Sequence, residues 1–182
     1  MAHIEQQNFC LRMKNLFPDH FKNKKVLDAG SLDVNGNNRY LFEESEYIGV
    51  DVGPGKNVDI VCKIHDFEAP DSSYDTIIST ECFEHDQYYE LSISNLYRML
   101  KPGGFFIFTC ATTGREEHGT RRSHPSAAPL LINLDSWGDY YKNLTEEHIR
   151  DFQNLDELYS KYSFEVNDIS HDLYFYGIKK GE

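Results

Sequence analysis

The residues best placed to do chemistry are a glycine turn and an acid one strand later. The apolar run Val26-Leu27-Asp28-Ala29 stops at Gly30, and the turn continues through Ser31-Leu32-Asp33-Val34-Asn35 to Gly36. Glycine has no side chain, so the backbone there can approach a ligand closely. Asp51 stands 21 residues after Gly30, at the tip of a second apolar run. A carboxylate at that place can accept both hydroxyls of a ribose. A dinucleotide turn requires Gly-x-Gly-x-x-Gly so that a pyrophosphate rests on a helix N-terminus. Positions 30, 32 and 35 are Gly, Leu and Asn, so that pattern fails, and with it the case for an NAD-dependent oxidoreductase. An adenosine ligand without phosphate needs no such anion nest. A second group is Arg115, Arg121 and Arg122 with His118 and His124. Guanidinium groups bind carboxylate or phosphate through a planar two-bond fork. Arg115, His118, Arg122 and His124 are therefore candidates for an anionic substrate. A solvated loop is the equally weighted alternative. Trp137, Tyr140 and Tyr141 could close an aromatic lid over a sugar or ring, or simply pack the loop on the core.

These residues need elements to position them. Phe9, Met13, Leu16 and Phe17 recur at helical spacing and predict a helix ending near Pro18. Strands are expected at 26–29, 47–50, 58–61, 74–79 and 105–110, with a short helix over 35–42. Tyr89, Ile93, Leu96, Tyr97 and Leu100 mark a further helix, ended by Lys101-Pro102-Gly103-Gly104. Residues 112–144 show no sustained period, which is long for an ordinary connection. Residues 145–160 read as helical. Strands at 162–169 and 173–179, joined by a tight turn at Ser170-His171-Asp172, must be antiparallel. The expected fold is a doubly wound, mostly parallel α/β sheet with one reversed strand, whose ligands bind at the carboxyl ends of the strands.

A chain of 182 residues suits a single domain, here 1–182 with a substrate-binding or lid insertion at 112–144. The net charge of −12 steers the protein away from phosphate backbones and argues against general nucleic-acid binding. Cys10, Cys62, Cys82 and Cys110 form no Cys-x-x-Cys pair and match no usual zinc spacing. Reduced thiols and a cytoplasmic location are the expectation, and no metal is assigned. The N-terminus has no signal-peptide pattern, and no apolar run approaches the ~20 residues of a membrane span.

Five stretches in order resemble a class I S-adenosylmethionine-dependent methyltransferase: Val26 to Gly30, Gly49-Val50-Asp51, Ser73 to Ser79, Glu81-Cys82-Phe83-Glu84-His85, and Leu96 to Gly104. The resemblance covers roughly residues 20–110 and the C-terminal hairpin. It departs at Leu32 and Val34, where the family usually carries glycines, and at Lys63, where an acid is usual. It implies a seven-stranded sheet of order 3-2-1-4-5-7-6 with helices on both faces, and S-adenosylmethionine as cofactor. By position it implies that Asp28, Gly30 and Ser31 lie against the methionine part and that Asp51 holds the ribose. Ile64, His65 and Asp66 would line the adenine, and Thr80 and Glu81 would face the reaction centre. A hydroxyl acceptor benefits from a base near neutral pH. His85 is the first candidate for that role and Glu81 the second, although the Glu-His pair of this family often only anchors a helix start. The expected activity is O-methylation of a saccharide or other small metabolite. The alternative is a non-catalytic cofactor-binding module.

Overall fold

The computed structural model describes residues 3–181. Seven strands form one sheet: β1 (Lys25–Ala29), β2 (Glu46–Asp51), β3 (Ile60–Val61), β4 (Tyr74–Thr80), β5 (Leu100–Ala111), β6 (Tyr159–Asn167) and β7 (Asp172–Lys179). Their order is β3-β2-β1-β4-β5-β7-β6. The first five strands pair in parallel, and β7 runs antiparallel to both β5 and β6. The sheet is thus the one expected, with β7 the reversed strand. Order reverses between β1 and β4, and a crevice opens there at the carboxyl ends.

Helix α1 (Ile4–Leu16) covers one face. Its Phe9, Cys10 and Met13 pack with Val26, Ile78, Phe105 and Tyr174, and Phe9 stacks on Tyr174 at 4.5 Å. Helix α2 (Tyr89–Met99) covers the other face, burying Ile93 and Leu96 against Leu27, Ile77 and Phe106. Two short helices, α3 (Glu146–Arg150) and α4 (Leu155–Leu158), add Ile149 and Leu155 to that second core.

Several expected boundaries move. Leu16 is exposed, because the helix stops before Pro18. Phe17, at φ −132°, leaves the helical path and packs on Phe105 and Tyr176 instead. No helix follows β1 over 35–42; only a single 3-10 turn forms at Arg39–Leu41. Asp33 explains this: its carboxylate accepts hydrogen bonds from the Gly36 amide (2.7 Å) and the Asn37 side chain (2.8 Å). Such side-chain bonds compete with the helical ladder. Leu100 opens β5 rather than closing α2, and β5 runs on through Gly103, at φ +73°, across a register shift opposite Tyr74 and Thr76. The expected helix over 145–160 breaks at Asn154 into α3 and α4. β3 shrinks to two paired residues. Among the described residues no helix is long and apolar enough to cross a membrane, and the four cysteines are free thiols.

Candidate functional site

A cleft of about 860 Å³ lies at the carboxyl ends of β1, β2 and β4. Asp28, Gly30 and Ser31 enter it from β1, Asp51 from β2, Ile64 from the turn after β3, and Thr80, Glu81 and His85 from the end of β4. These eight expected site residues are therefore neighbours. His65 and Asp66 stand beside the cleft without lining it. The His65 ring packs between Tyr88 (4.6 Å) and Trp137 (6.1 Å), and Asp66 is exposed.

The turn after β1 is locked to β2. The amides of Gly30 and Ser31 both donate to the Val50 carbonyl, at 2.9 and 3.2 Å. Gly30 has φ +78°, and a Cβ there would lie 2.6 Å from Cys82 Cβ. The position thus requires glycine for both backbone conformation and close approach. The Asp51 carboxylate is clamped by two amides, Leu32 N–H at 2.9 Å and Val52 N–H at 2.8 Å. Burial raises its pKa, and those two bonds oppose the rise. Asp28 is buried; its Oδ2 accepts from the Tyr47 hydroxyl and from Asn57 Nδ2 (3.3 Å), whereas Oδ1 has no partner among the described residues. Burial pushes the Asp28 carboxyl up to about 7 despite the Tyr47 bond. An acceptor oxygen without a donor, in the wall of a cleft, is a place for a ligand's N–H.

The end of β4 holds the other charged groups. Glu81 takes a left-handed backbone at φ +53°, a strained choice for a residue with a side chain. Burial would raise its carboxyl. His3 at 3.6 Å and the Thr109 hydroxyl at 2.8 Å outweigh burial and hold it down to about 2. Glu81 is therefore an anion at neutral pH and a weak base. Burial pushes His85 down to about 3, helped by His118. The imidazole is neutral, and neither ring nitrogen has a partner among the described residues. It is thus not tuned near neutral pH, as a general base ought to be. Thr80 receives a hydrogen bond from Asn38 Nδ2 at 3.0 Å.

The candidate substrate residues lie elsewhere. Arg115 donates to the Ser170 carbonyl and sits 3.4 Å from Asp172, which ties it to the β6–β7 hairpin. Arg122 pairs with Glu117 and Asp139, and Arg121 bonds Ile132, Asp135 and Asp139. These guanidinium groups hold the 112–144 segment together and do not converge on the cleft. His124 is exposed, at φ +44°. His118 is buried behind the cleft wall, its ring 5.0 Å from that of His85. The same segment does reach the cleft with apolar residues: 127–131 and Trp137 form the wall opposite β1. Tyr47, Asn57 and residues 127–131 were not legible in the spacing. Only Asn57, in the glycine-containing turn after Asp51, carried a local hint.

The family described as "Methyltransferase domain" matches residues 1–166. The chain belongs to that methyltransferase family. No curated protein matches it in sequence. In structure this methyltransferase domain is similar to phosphoethanolamine N-methyltransferase 2 of Haemonchus contortus, solved with S-adenosyl-L-methionine. The TM-score is 0.65 at 17% identity, over 95% of this chain and 52% of that one. It is also similar to the 1,6-didemethyltoxoflavin-N1-methyltransferase of Burkholderia thailandensis, solved with 1,6-didemethyltoxoflavin and S-adenosylhomocysteine. There the TM-score is 0.59 at 14% identity, over 99% of this chain and 92% of that one. The chain spans about half the length of the Haemonchus enzyme. At such identities the likeness is one of fold, and activity has to be argued from the site.

Proposed function

We propose that the domain binds S-adenosylmethionine in the cleft between β1, β2 and β4 and methylates a small molecule there. The observation that carries this reading is the pair of carboxylates on the cleft wall. Asp28 Oδ1 has no donor among the described residues, and Asp51 is held by the amides of Leu32 and Val52. The first suits the ammonium of the methionine part. The second, fixed in orientation, suits two vicinal hydroxyls. Ile64 offers an apolar surface to the adenine, with His65, Tyr88 and Trp137 beyond it.

The cofactor supplies a methyl group already activated on a sulfonium, so the protein's main task is positioning and exclusion of water. Residues 127–131 and Trp137 close the cleft on the side opposite the turn after β1. Thr80 and the backbone of Glu81, held by the bond from its amide to the Thr109 carbonyl at 2.8 Å, mark the donor end. His85, neutral and with no ring-nitrogen partner among the described residues, can hydrogen-bond an acceptor without taking up its proton. That role suits a hydroxyl or an amine that loses its proton to water.

For the acceptor we favour a neutral, hydroxyl-bearing small molecule such as a saccharide, methylated on oxygen. The Trp137 ring in the cleft lining offers a face to a sugar, and Arg115, Arg121 and Arg122, each occupied by other protein groups, speak against an anion. Isothermal titration with S-adenosylmethionine tests the cofactor reading. Saturation at about 100 times Kd stabilises a native state by about 2.7 kcal/mol, a Tm rise of about 5–10 °C at this size. Asp51→Ala should abolish that rise while circular dichroism stays native. An undiminished rise would remove Asp51 from the site. Methyl transfer from labelled cofactor to a panel of sugars and of amines then decides between oxygen and nitrogen.

A further inference from the structure

Behind the cleft wall lies a group of side chains of which the proposed methyl transfer involves only the His85 ring. Glu84 and His85 belong to the 3-10 turn Phe83–His85 after β4, and His118 arrives from the 112–144 segment. Glu84 is fully buried, yet neither carboxylate oxygen receives a hydrogen bond among the described residues. His85 is almost as buried, and among the described residues both its ring nitrogens and His118 Nε2 are unpartnered. Buried polar groups are normally hydrogen-bonded, and a buried carboxylate without donors is among the costliest exceptions. Three such side chains at one point call for a shared partner.

Their geometry says what kind. One ligating atom from each lies within 4.8 Å of the other two. The imidazoles of His85 and His118 stand at 89° with centroids 5.0 Å apart. His118 Nδ1 lies 3.0 Å from the Glu116 carbonyl, which can only accept. Nδ1 therefore carries the proton, and Nε2 turns its lone pair toward Glu84 Oε1, 4.0 Å away. That separation is too long for a hydrogen bond. A lone pair facing a carboxylate is repulsive unless a proton or a metal cation stands between them, and burial does push the Glu84 carboxyl up, to about 8. An Nδ1–H anchored on a backbone carbonyl, with Nε2 left free, is how metal-ligating histidines are commonly held. Gly119, at φ +67°, lets the chain pass close: a Cβ there would sit 2.6 Å from His85 Cε1. Tyr141 packs on both imidazoles, at 5.6 and 5.0 Å, and its hydroxyl has no partner among the described residues.

We propose that Glu84, His85 and His118 bind one divalent transition-metal ion of the zinc type. Two imidazoles and a carboxylate suit such an ion, whereas magnesium and calcium prefer oxygen ligands throughout. Metal–ligand bonds of about 2.0–2.2 Å place neighbouring donors about 3.4 Å apart in a tetrahedron. Bringing the present spacing of up to 4.8 Å to that value requires the side chains to rotate inward on binding. The carboxylate neutralises one of the two charges, and three protein ligands leave one position open. The ion pins the 112–144 segment to the turn after β4, directly behind the His85 ring that lines the cleft. The sequence offered no such site, because its cysteines lack zinc spacing and His118 lies 33 positions beyond His85.

The test uses the whole chain with no histidine tag. Metal content is measured as purified, and chelator-treated protein is titrated with Co²⁺ and Zn²⁺. We expect one ion per chain, Kd below about 1 µM, and a Co²⁺ ligand-field spectrum without thiolate charge transfer. His118→Ala and Glu84→Gln should each weaken Co²⁺ binding by about 100-fold or more. Wild-type protein that binds neither ion more tightly than about 10 µM would overturn the proposal. So would thiolate bands from Cys82 or Cys110, or a folded His118→Ala with unchanged affinity. The wild-type measurements decide even where a variant fails to fold. S-adenosylmethionine binding by the same metal-free protein is read separately, so failure of one reading is not failure of the other.

Discussion

If Asp28 receives the cofactor's ammonium, cofactor affinity must depend on Asp28 being ionised. Burial holds its carboxyl up at about 7, compared with 3.8 for the free side chain. The proton is bound more tightly in the folded state, so it stabilises the fold, and that stabilisation is lost as pH rises through about 7. A shift of about 3 units corresponds to roughly 4 kcal/mol of cost to ionise the carboxylate without its partner. A cation delivered to the unpartnered Oδ1 offsets that cost. Where binding requires the ionised form, apparent Kd grows by a factor of one plus ten to the power of pKa minus pH. Between pH 8 and pH 5.5 that is about a 30-fold loss of affinity. Titration with S-adenosylhomocysteine across this range, on wild type and Asp28→Asn, measures it. The amine of the ligand titrates too, but equally with both proteins, so the difference between the two curves isolates Asp28. Asp28→Asn should bind weakly at pH 8 and lack the 30-fold component. Parallel curves for the two proteins would refute the assignment of the ammonium to Asp28.

Other substitutions separate the readings. Gly30→Ala places a Cβ 2.6 Å from Cys82 Cβ at φ +78°; strain and overlap of about 2–4 kcal/mol should lower Tm by about 5–15 °C in a thermal melt and abolish cofactor binding. Trp137→Ala removes part of the cleft wall, and titration should show about 10-fold weaker cofactor binding in a protein that still folds. Arg122→Ala breaks only exposed pairs with Glu117 and Asp139; Tm should stay within about 2 °C and acceptor KM within about twofold of wild type, and a large rise in KM would revive an anionic substrate. His3 faces the buried carboxylates of Asp172 (3.0 Å) and Glu81 (3.6 Å), which overcome its own burial and raise its pKa to about 10. Its stabilising effect is present below the unfolded value of 6.5 and is lost as pH rises through 10, so wild-type Tm should fall over that window more steeply than the Tm of His3→Gln.

The parts of this protein that could be read in advance are those fixed by local chemistry. The alternation of apolar runs and helical spacing pointed to a mostly parallel α/β sheet with one reversed strand, because each buried strand carries its own periodicity; the strand order was what the resemblance implied. Gly30 and Asp51 were readable for the same reason: each sits at a strand end, and a strand end has one place in such a sheet; Asp28 was marked by the resemblance. The residues of segment 112–144 had no such anchor. Arg115, Arg122 and His124 looked like an anion site because arginines and histidines stood close in sequence, yet a guanidinium is satisfied by whatever oxygen folding brings near. Here the hairpin carbonyl of Ser170 and the carboxylates of Glu117, Asp139 and Asp172 reach them first. His85 shows the converse. Its position at the end of β4 was predictable, but its chemistry depends on what packs around it. Burial beside His118, with no partner on either nitrogen among the described residues, makes it a poor proton acceptor. The same burial leaves the lone pair of its unprotonated nitrogen free, close to a carboxylate that also lacks donors among the described residues. A side chain expected to move a proton is thereby better suited to hold a cation, and that distinction exists only once residues 84, 85 and 118 are seen together.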